Sequence, residues 1–160
     1  GFAVCIMKKN LMKHHKSVHA IIFFKGKYFI QKRDNKKNIH FPNFWGLFGG
    51  KIMKNELKID AIIREIKEET NLKINKPKKI LSFIIHGKNL GLTRNITYFV
   101  FNLNKIPKNI KIFEGSNFRF AKFANIKKLK FNPFDFAALC FHYYNDVKKE
   151  ILIPSKYLKN

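Results

Sequence analysis

The sequence predicts an α/β fold in which a mixed β-sheet lies between helices, and two observations predict it. Segments with strand-like or helix-like apolar patterns follow one another as strand pair, strand, helix, strand pair, strand and helix. The chain has 160 residues, of which 46% are hydrophobic, so it is long enough for one sizeable core and too short for two. We therefore expect a single domain over residues 17–160 that includes a C-terminal helix, preceded by an N-terminal extension at residues 1–16.

The first two predicted strands lie on either side of a short turn. Residues 18–24 are apolar and rich in β-branched or aromatic side chains, and residues 27–33 alternate after a Lys-Gly turn signal, which predicts a β-hairpin. An aromatic-rich segment then leads to Gly49 and Gly50. Aromatic sequence that enters two glycines predicts a short strand followed by a tight turn.

A helix with one apolar stripe is predicted to begin near Leu57. At 100° per residue, Ile59, Ile62 and Ile66 fall on one stripe that can be buried. Asn71 is expected to close this helix in the left-handed conformation, because asparagine is the best substitute for glycine there.

Three carboxylates share a neighbouring face of this helix. Glu65, Glu68 and Glu69 stand at positions i, i+3 and i+4, which places them within an arc of about 100°. Like charges so close destabilise a helix, so the pattern suggests a bound cation, and hard oxygen ligands without His or Cys favour Mg²⁺ or Mn²⁺ over zinc. The chain has only 10 Asp plus Glu against 33 Lys plus Arg, yet four glutamates lie within residues 56–69. The alternative is a solvated helix with Glu–Lys pairs.

The second half of the chain predicts three more strands and a second helix. The strands are expected over residues 79–86, 95–103 and 118–123. Asn132 and Pro133 are typical of a helix start and open a helix over residues 134–149. Its predicted apolar stripe consists of Phe134, Ala138, Phe141 and Tyr144 or Val147.

The segment from Gly49 to Leu72 resembles the signature of the Nudix hydrolases, enzymes that cleave nucleoside diphosphates linked to another moiety. Its skeleton is Gly50, five residues, Glu56, seven residues, then Arg-Glu-Ile-Lys-Glu-Glu from Arg64, two residues and an apolar residue. Asn71 stands where the family usually has glycine. The resemblance extends over nearly all of residues 17–148 and implies an α/β/α sandwich.

The resemblance also implies roles for the residues of the signature. It implies that Mg²⁺ or Mn²⁺ is held by Gly49 (through its carbonyl), Glu65, Glu68, Glu69 and Glu114. The implied catalytic residues are Glu65, Arg64 and Glu69, with Glu65 favoured over Glu114 as the base and oriented by Arg64. Gly50 and Glu56 are implied to be structural.

Three further residues are predicted to contact the substrate, each with an alternative. The resemblance places Arg33 near the substrate phosphates or base, although a solvated arginine at a strand end is equally consistent. Trp45 could stack on a base or pack in the core. Asp135 stands where family members often contact the base, but an acid in the first turn of a helix is also explained by the helix dipole.

Two classes of function follow from these observations. The first is a pyrophosphohydrolase of a small nucleotide, such as a nucleoside triphosphate or a nucleotide sugar. The second is suggested by the net charge of +23 and is an RNA 5′-end hydrolase or a nucleic-acid-binding module. The lysines are spread along the chain beside many Asn and Ile residues, which favours the first class.

The cellular setting predicted from the sequence is the cytoplasm. Cys5 and Cys140 match no metal or redox spacing, and no segment is typical of export or of a membrane span. We therefore expect no membrane partner, and a homodimer is left open.

Overall fold

The computed structural model of the chain describes residues 13–36, 41–87, 92–113, 115–150 and 156. The strands are β1 (Lys13–Phe24), β2 (Lys27–Lys32), β3 (Trp45–Gly46), β4 (Phe48–Lys51), β5 (Lys78–Gly87), β6 (Leu92–Asn102) and β7 (Asn117–Lys122). The helices are α1 (Lys58–Glu69), α2 (Phe123–Ile126) and α3 (Pro133–His142), and α3 continues into a π-helical turn, Tyr143–Val147. No helix within these ranges is long and apolar enough to cross a membrane.

Strand β1 is the centre of a seven-stranded mixed sheet with the order β3-β2-β1-β6-β5. It runs parallel to β6 and antiparallel to β2, while β4 also pairs with β1 and β7 with β2. Strand β1 pairs with both β4 and β2 because different residues take part: residues 17–20 pair with β4, and residues 23–24 pair with β2. The predicted mixed sheet is confirmed, and β1 begins at Lys13, inside the predicted extension.

Two apolar layers lie on opposite faces of this sheet. Because side chains alternate along a strand, Val18 and Ile22 of β1 pack in the cluster that contains the buried residues of α1. Ile21 points to the other face and packs in the cluster that contains Ala138 and Leu139 of α3. A sheet covered by a helix on each face is the predicted α/β/α sandwich.

The buried face of α1 differs from the predicted stripe. Ala61, Ile62 and Ile66 are buried as a packed face requires, but Ile59 is 40% exposed, so its predicted place in the stripe was wrong. The buried face runs instead toward Glu69, which is 4% exposed. The packed side of the helix therefore carries a carboxylate into the sheet.

The predicted left-handed closure of α1 at Asn71 was also wrong. The helix ends at Thr70 in extended backbone, where the Thr70 hydroxyl donates to the carbonyl of Ile66 at 2.6 Å. The Asn71 side chain instead bridges to a later loop, donating to the carbonyl of Asn109 and accepting from the backbone N–H of Lys111. A side-chain bridge therefore takes the place of a glycine cap.

Helix α3 begins as predicted but ends earlier. The Asn132 side chain accepts hydrogen bonds from the backbone N–H groups of Phe134 and Asp135, which caps the helix start. The regular helix ends at His142, and the residues that it buries are Asp135, Ala138, Leu139 and His142. Of the predicted stripe only Ala138 is fully buried, because the polar Asp135 and His142 lie on the packed face.

Candidate active site

Gly49 and Gly50 lie in strand β4, where the chain is extended, and not in the tight turn that the sequence predicted. Glycine is needed here for close approach. A Cβ on Gly49 would lie 2.7 Å from the Cα of His19 and closer still to the carbonyl oxygen of Val18. A Cβ on Gly50 would lie 2.6 Å from Oε1 of Glu65. The absence of a side chain at Gly50 therefore lets the Glu65 carboxylate of α1 touch strand β4.

Arg64 joins the loop before α1 to the carboxylates of the helix. Its Nε and Nη2 donate to the two carboxylate oxygens of Glu56 at 2.7 and 2.8 Å, and Nη2 also donates to the carbonyl of Lys51 at 3.0 Å. Its Nη1 donates to Glu65 at 2.9 Å and to Glu68 at 3.2 Å. The predicted charge-assisted hydrogen bond between Arg64 and Glu65 is thus present, and one guanidinium orients three carboxylates.

The charges of this network are held by the hydrogen bonds themselves. The hydrogen bonds that Arg64 donates to Glu56 lower the pKa of Glu56 most, and the hydrogen bond from the backbone N–H of Met53 contributes next, so that the pKa falls to about 2. The same contacts to Glu56 raise the pKa of Arg64. Glu56 therefore stays ionised at neutral pH and braces the loop from Met53, the structural role predicted for it.

The three glutamates of α1 face two directions. Glu65 touches Gly50, and Glu69 is buried beside Gln31, whose Nε2 lies 3.3 Å from the Glu69 carboxylate. The Glu68 side chain is 55% exposed and turns toward Arg64. The structure therefore brings Glu65 and Glu69 to the strand that carries Gly50 and leaves Glu68 on the solvent side of the guanidinium.

The donor set fits a hard divalent cation in its chemistry. The carboxylates of Glu65 and Glu69 and the backbone oxygens of β4 are hard oxygen ligands of the kind that Mg²⁺ and Mn²⁺ prefer. Within the described ranges, no three His, Cys, Asp or Glu side chains converge as a ready-made metal cluster. Glu114, the further predicted ligand, lies outside the described residues.

Two adjoining cavities of about 420 and 410 Å³ open beside this strand. They share four lining residues, namely Gln31, Arg33, Gly49 and Gly50. The first cavity also reaches Glu69. The second continues across the sheet edge to His19, Phe41, Leu47, Arg94, Ile96 and Asn132. A nucleotide could therefore place its phosphates beside the carboxylates and its base on the α3 side.

Two arginines line the second cavity, and each has a side-chain nitrogen without a partner among the described residues. The Nε atoms of Arg33 and Arg94 are buried, and neither has a hydrogen-bond partner in the described part of the chain. Burial, followed by repulsion from Arg33, lowers the pKa of Arg94. Two neighbouring guanidiniums with unsatisfied donors indicate an anion site. Arg33 was predicted from the sequence. Arg94 was not predicted, although a charged residue near the start of a largely apolar strand could have indicated a functional position.

Trp45 does not lie where a base could stack on it. It is 6% exposed and packs in the α3-side cluster, with the guanidinium of Arg119 over its ring at 4.2 Å. It lines neither of the two cavities. The alternative that Trp45 packs in the core therefore describes its position, because β3 turns the ring toward α3.

Asp135 is likewise buried behind the cavity and not in it. Its carboxylate accepts hydrogen bonds from the backbone N–H of Leu47 at 2.9 Å and from the hydroxyl of Tyr98 at 2.8 Å, and it lies 2.9 Å from Nδ1 of His19. Burial alone would raise the pKa of Asp135, but His19 and these donors hold it below its usual value. Its predicted direct contact with a base does not fit this position, since the carboxylate is already surrounded by donors.

A family model described as NUDIX domain matches residues 13–142. YtkD of Bacillus subtilis (strain 168), whose name carries a proposed 8-oxo-dGTP diphosphatase activity, is 30% identical over 99 residues, which are 62% of this chain. The aligned region spans 57% of the length of YtkD.

Solved structures share the fold at low identity. The E. coli ORF135 protein superposes with a TM-score of 0.67 at 18% identity, covering 88% of this chain and 96% of its own. The NUDIX domain of Shewanella oneidensis NrtR, solved with ADP ribose, gives 0.65 at 18% identity and covers 79% of this chain and 84% of its own. These similarities show the fold and do not identify the substrate.

Proposed function

This chain belongs to the NUDIX domain family, and given that membership we propose that it is a metal-dependent hydrolase of nucleoside diphosphate derivatives. The substrate is a nucleoside triphosphate or a nucleotide sugar, and the bond cleaved is a diphosphate bond. One observation carries the proposal: Glu65 touches Gly50, and Glu69, Gly49, Gly50 and Arg33 line one cavity. Carboxylates for a cation beside a guanidinium for an anion suit a metal–diphosphate group.

The carboxylates and the strand backbone would hold the cation. Glu65, Glu69 and the Gly49 carbonyl border one region, and Glu68 could join them by rotating its exposed side chain away from Arg64. Glu114 completes the proposed ligand set. When bound, Mg²⁺ or Mn²⁺ supplies charge neutralisation and polarisation of the diphosphate oxygens.

Glu65 is the proposed general base. A water molecule forms a new P–O bond with one phosphorus of the diphosphate, and its proton passes to the carboxylate of Glu65. The P–O bond to the bridging oxygen breaks, so the products are a nucleoside monophosphate and either pyrophosphate or a sugar phosphate. Arg64 donates to Oε1 of Glu65 at 2.9 Å and so keeps the carboxylate oriented toward Gly50. The Glu56 brace keeps Arg64 itself in place. Arg33 and Arg94, which line the second cavity, stabilise the negative charge of the phosphates.

The test is a hydrolysis screen with purified full chain in Mg²⁺ or Mn²⁺. The panel contains nucleoside triphosphates, nucleotide sugars, dinucleotides, and RNA with a 5′-triphosphate or a cap, and products are separated by anion exchange. Metal-dependent release of a nucleoside monophosphate from a small substrate is expected. Glu65→Gln should lower turnover by on the order of 10² to 10⁴, whereas Asp60→Asn, a matched change at an exposed acid of the same helix, should not.

Two results would change the conclusion. Turnover within a few fold of wild type in Glu65→Gln would remove Glu65 as the base. If RNA were hydrolysed with a higher kcat/KM than every small nucleotide at about 150 mM salt, the RNA 5′-end hydrolase suggested by the charge of +23 would replace the small-molecule enzyme.

A further inference from the structure

We propose that Gln31 is a positioning residue that holds the Glu69 carboxylate in the wall of the first cavity, where that carboxylate can bind the divalent cation. The inference rests on the proposed function, because it concerns a side chain that acts on one of the proposed metal ligands. It assigns a role to a buried amide that belongs neither to the glutamate helix nor to the arginines of the site.

Gln31 is a polar residue in an otherwise apolar, buried stretch of strand β2. Tyr28 and Ile30 pack in the cluster on the α3 side, whereas Phe29 packs in the cluster on the α1 side. Because side chains alternate along a strand, Gln31 continues the α1 side, and it is 8% exposed. A buried amide is expected to have hydrogen-bond partners, and those of Gln31 lie at the candidate site.

The amide nitrogen of Gln31 joins two elements of the site. Its Nε2 donates to the backbone carbonyl of Leu47 at 3.4 Å and to Oε2 of Glu69 at 3.3 Å. A backbone carbonyl can only accept, so the nitrogen of the amide and not its oxygen faces this side, and its two hydrogens serve the two acceptors. The residue before β4 and the last residue of α1 are thereby tied to β2 through one side chain.

The oxygen of the same amide is packed closely against a glycine. A Cβ on Gly115 would lie 2.8 Å from Oε1 of Gln31 and 3.0 Å from the carbonyl oxygen of Lys32. The backbone N–H of Ser116 donates to that carbonyl at 3.0 Å, which fixes this segment on β2. Gly115 therefore closes the space on the oxygen side of the amide, and the nitrogen side stays turned to Glu69.

The burial of Glu69 gives this contact its importance for a cation. Glu69 is 4% exposed, and a buried carboxylate is costly unless donors stabilise it. The side chains of Gln31 and Glu69 line the first cavity together with Gly49 and Gly50. An amide is neutral, so it orients the carboxylate without supplying a positive charge that would compete with the bound cation.

The experiment measures Mn²⁺ binding to the purified full chain without substrate, by electron paramagnetic resonance of the free ion. Gln31→Met is the test variant, because methionine keeps the unbranched shape of glutamine and removes both polar groups of the amide. We expect the Kd for Mn²⁺ to rise by roughly ten- to a hundredfold, the range seen when a group that orients a metal ligand is removed. At saturating Mn²⁺, kcat should return to within a few fold of wild type, since Gln31 acts through Glu69.

Thr97→Val is the matched control for stability. It also removes a buried polar group of the sheet, a hydroxyl that lies 3.0 Å from the hydroxyl of Ser82, and Thr97 lines neither of the two site cavities. Both variants should lower the melting temperature measured without metal, but only Gln31→Met should raise the Kd for Mn²⁺. In a Glu69→Gln background, Gln31→Met should cost little further affinity, because the carboxylate that it positions is already gone.

Three results would overturn the inference. They are a Kd within about twofold of wild type in a folded Gln31→Met protein, an equal rise of the Kd in Thr97→Val, and a full additional loss of affinity in the Glu69→Gln background. If the wild type bound no Mn²⁺ and hydrolysed no nucleotide, the proposed function itself would fail, and the role of Gln31 with it. An active enzyme that binds Mn²⁺ equally well without the Gln31 amide would contradict the positioning role alone.

Discussion

Replacement of Gly50 by alanine tests whether the close contact between β4 and α1 is needed to position Glu65. The added Cβ would lie 2.6 Å from Oε1 of Glu65, whereas ordinary van der Waals contact begins at 3.4 Å. The carboxylate must therefore move by close to 1 Å. It can do so because it is the end of a flexible side chain, so the fold should survive.

The magnitude follows from this displacement. A misplacement of about 1 Å at a reacting group costs on the order of 10² in rate, so kcat should fall by about a hundredfold. The hydrogen bond from Arg64 to Oε1 of Glu65, 2.9 Å long, would be broken or bent by the same movement. The free energy of unfolding should change by less than about 1 kcal/mol, since the restricted unfolded chain and the strained glutamate side chain act in opposite directions.

The assay is a double-mutant cycle with Glu65→Gln on the best substrate. If Gly50→Ala acts through Glu65, it should cost little in the Glu65→Gln background, so the two losses should not add. Gly49→Ala is the matched control: its Cβ would meet the backbone of Val18 and His19, so it should lower the melting temperature instead. A kcat within threefold of wild type in Gly50→Ala, or equal losses in both backgrounds, would refute the reasoning.

Three further predictions concern charge. Glu56→Gln should lower the free energy of unfolding at neutral pH. Because the lowered pKa of Glu56 makes its contribution present only while the carboxylate is ionised, the difference between wild type and variant should shrink as pH falls from about 4.5 toward 2. Urea unfolding at several pH values measures this difference. Mg²⁺ should raise the melting temperature of the wild type. Glu69→Gln should reduce this increase and should raise the Mg²⁺ concentration needed for half-maximal rate. A variant with unchanged metal dependence would remove Glu69 from the ligand set. The KM of the best small substrate should change by no more than several fold between roughly 50 and 200 mM salt, whereas binding of RNA measured in parallel should collapse. RNA binding that persists at the higher salt would count against adventitious attraction.

Local sequence was sufficient for the helix that carries the glutamates and for the class of fold. The spacing of Glu65, Glu68 and Glu69 is a property of one helix, and apolar alternation along each strand depends on near neighbours. A loop-bracing role for Glu56 was also predicted from the sequence, whereas its hydrogen bonds with Arg64, in the middle of α1, were not.

Which of these groups point into the site was decided by packing. Glu69 is buried and Glu68 is exposed, although both belong to the same predicted face, because α1 lies on the sheet through Ala61, Ile62 and Ile66. From the sequence alone, stacking on a base and packing in the core were both open for Trp45, with packing in the core favoured. Its ring is buried because the short strand β3 joins the sheet edge against the α3 side.

The second cavity, on the α3 side, depends on strand register. In the parallel pairing of β1 with β6, His19 stands beside Tyr98, and His15 beside Arg94. A shift of one residue would turn Tyr98 and Arg94 to the opposite face of the sheet. Pairings between residues this far apart in the chain arise only when the whole sheet assembles. The sequence alone therefore predicted the helix that carries the glutamates and singled out Arg33, whereas the contact of His19 with Asp135 and the place of Arg94 beside the cavity depend on the tertiary structure.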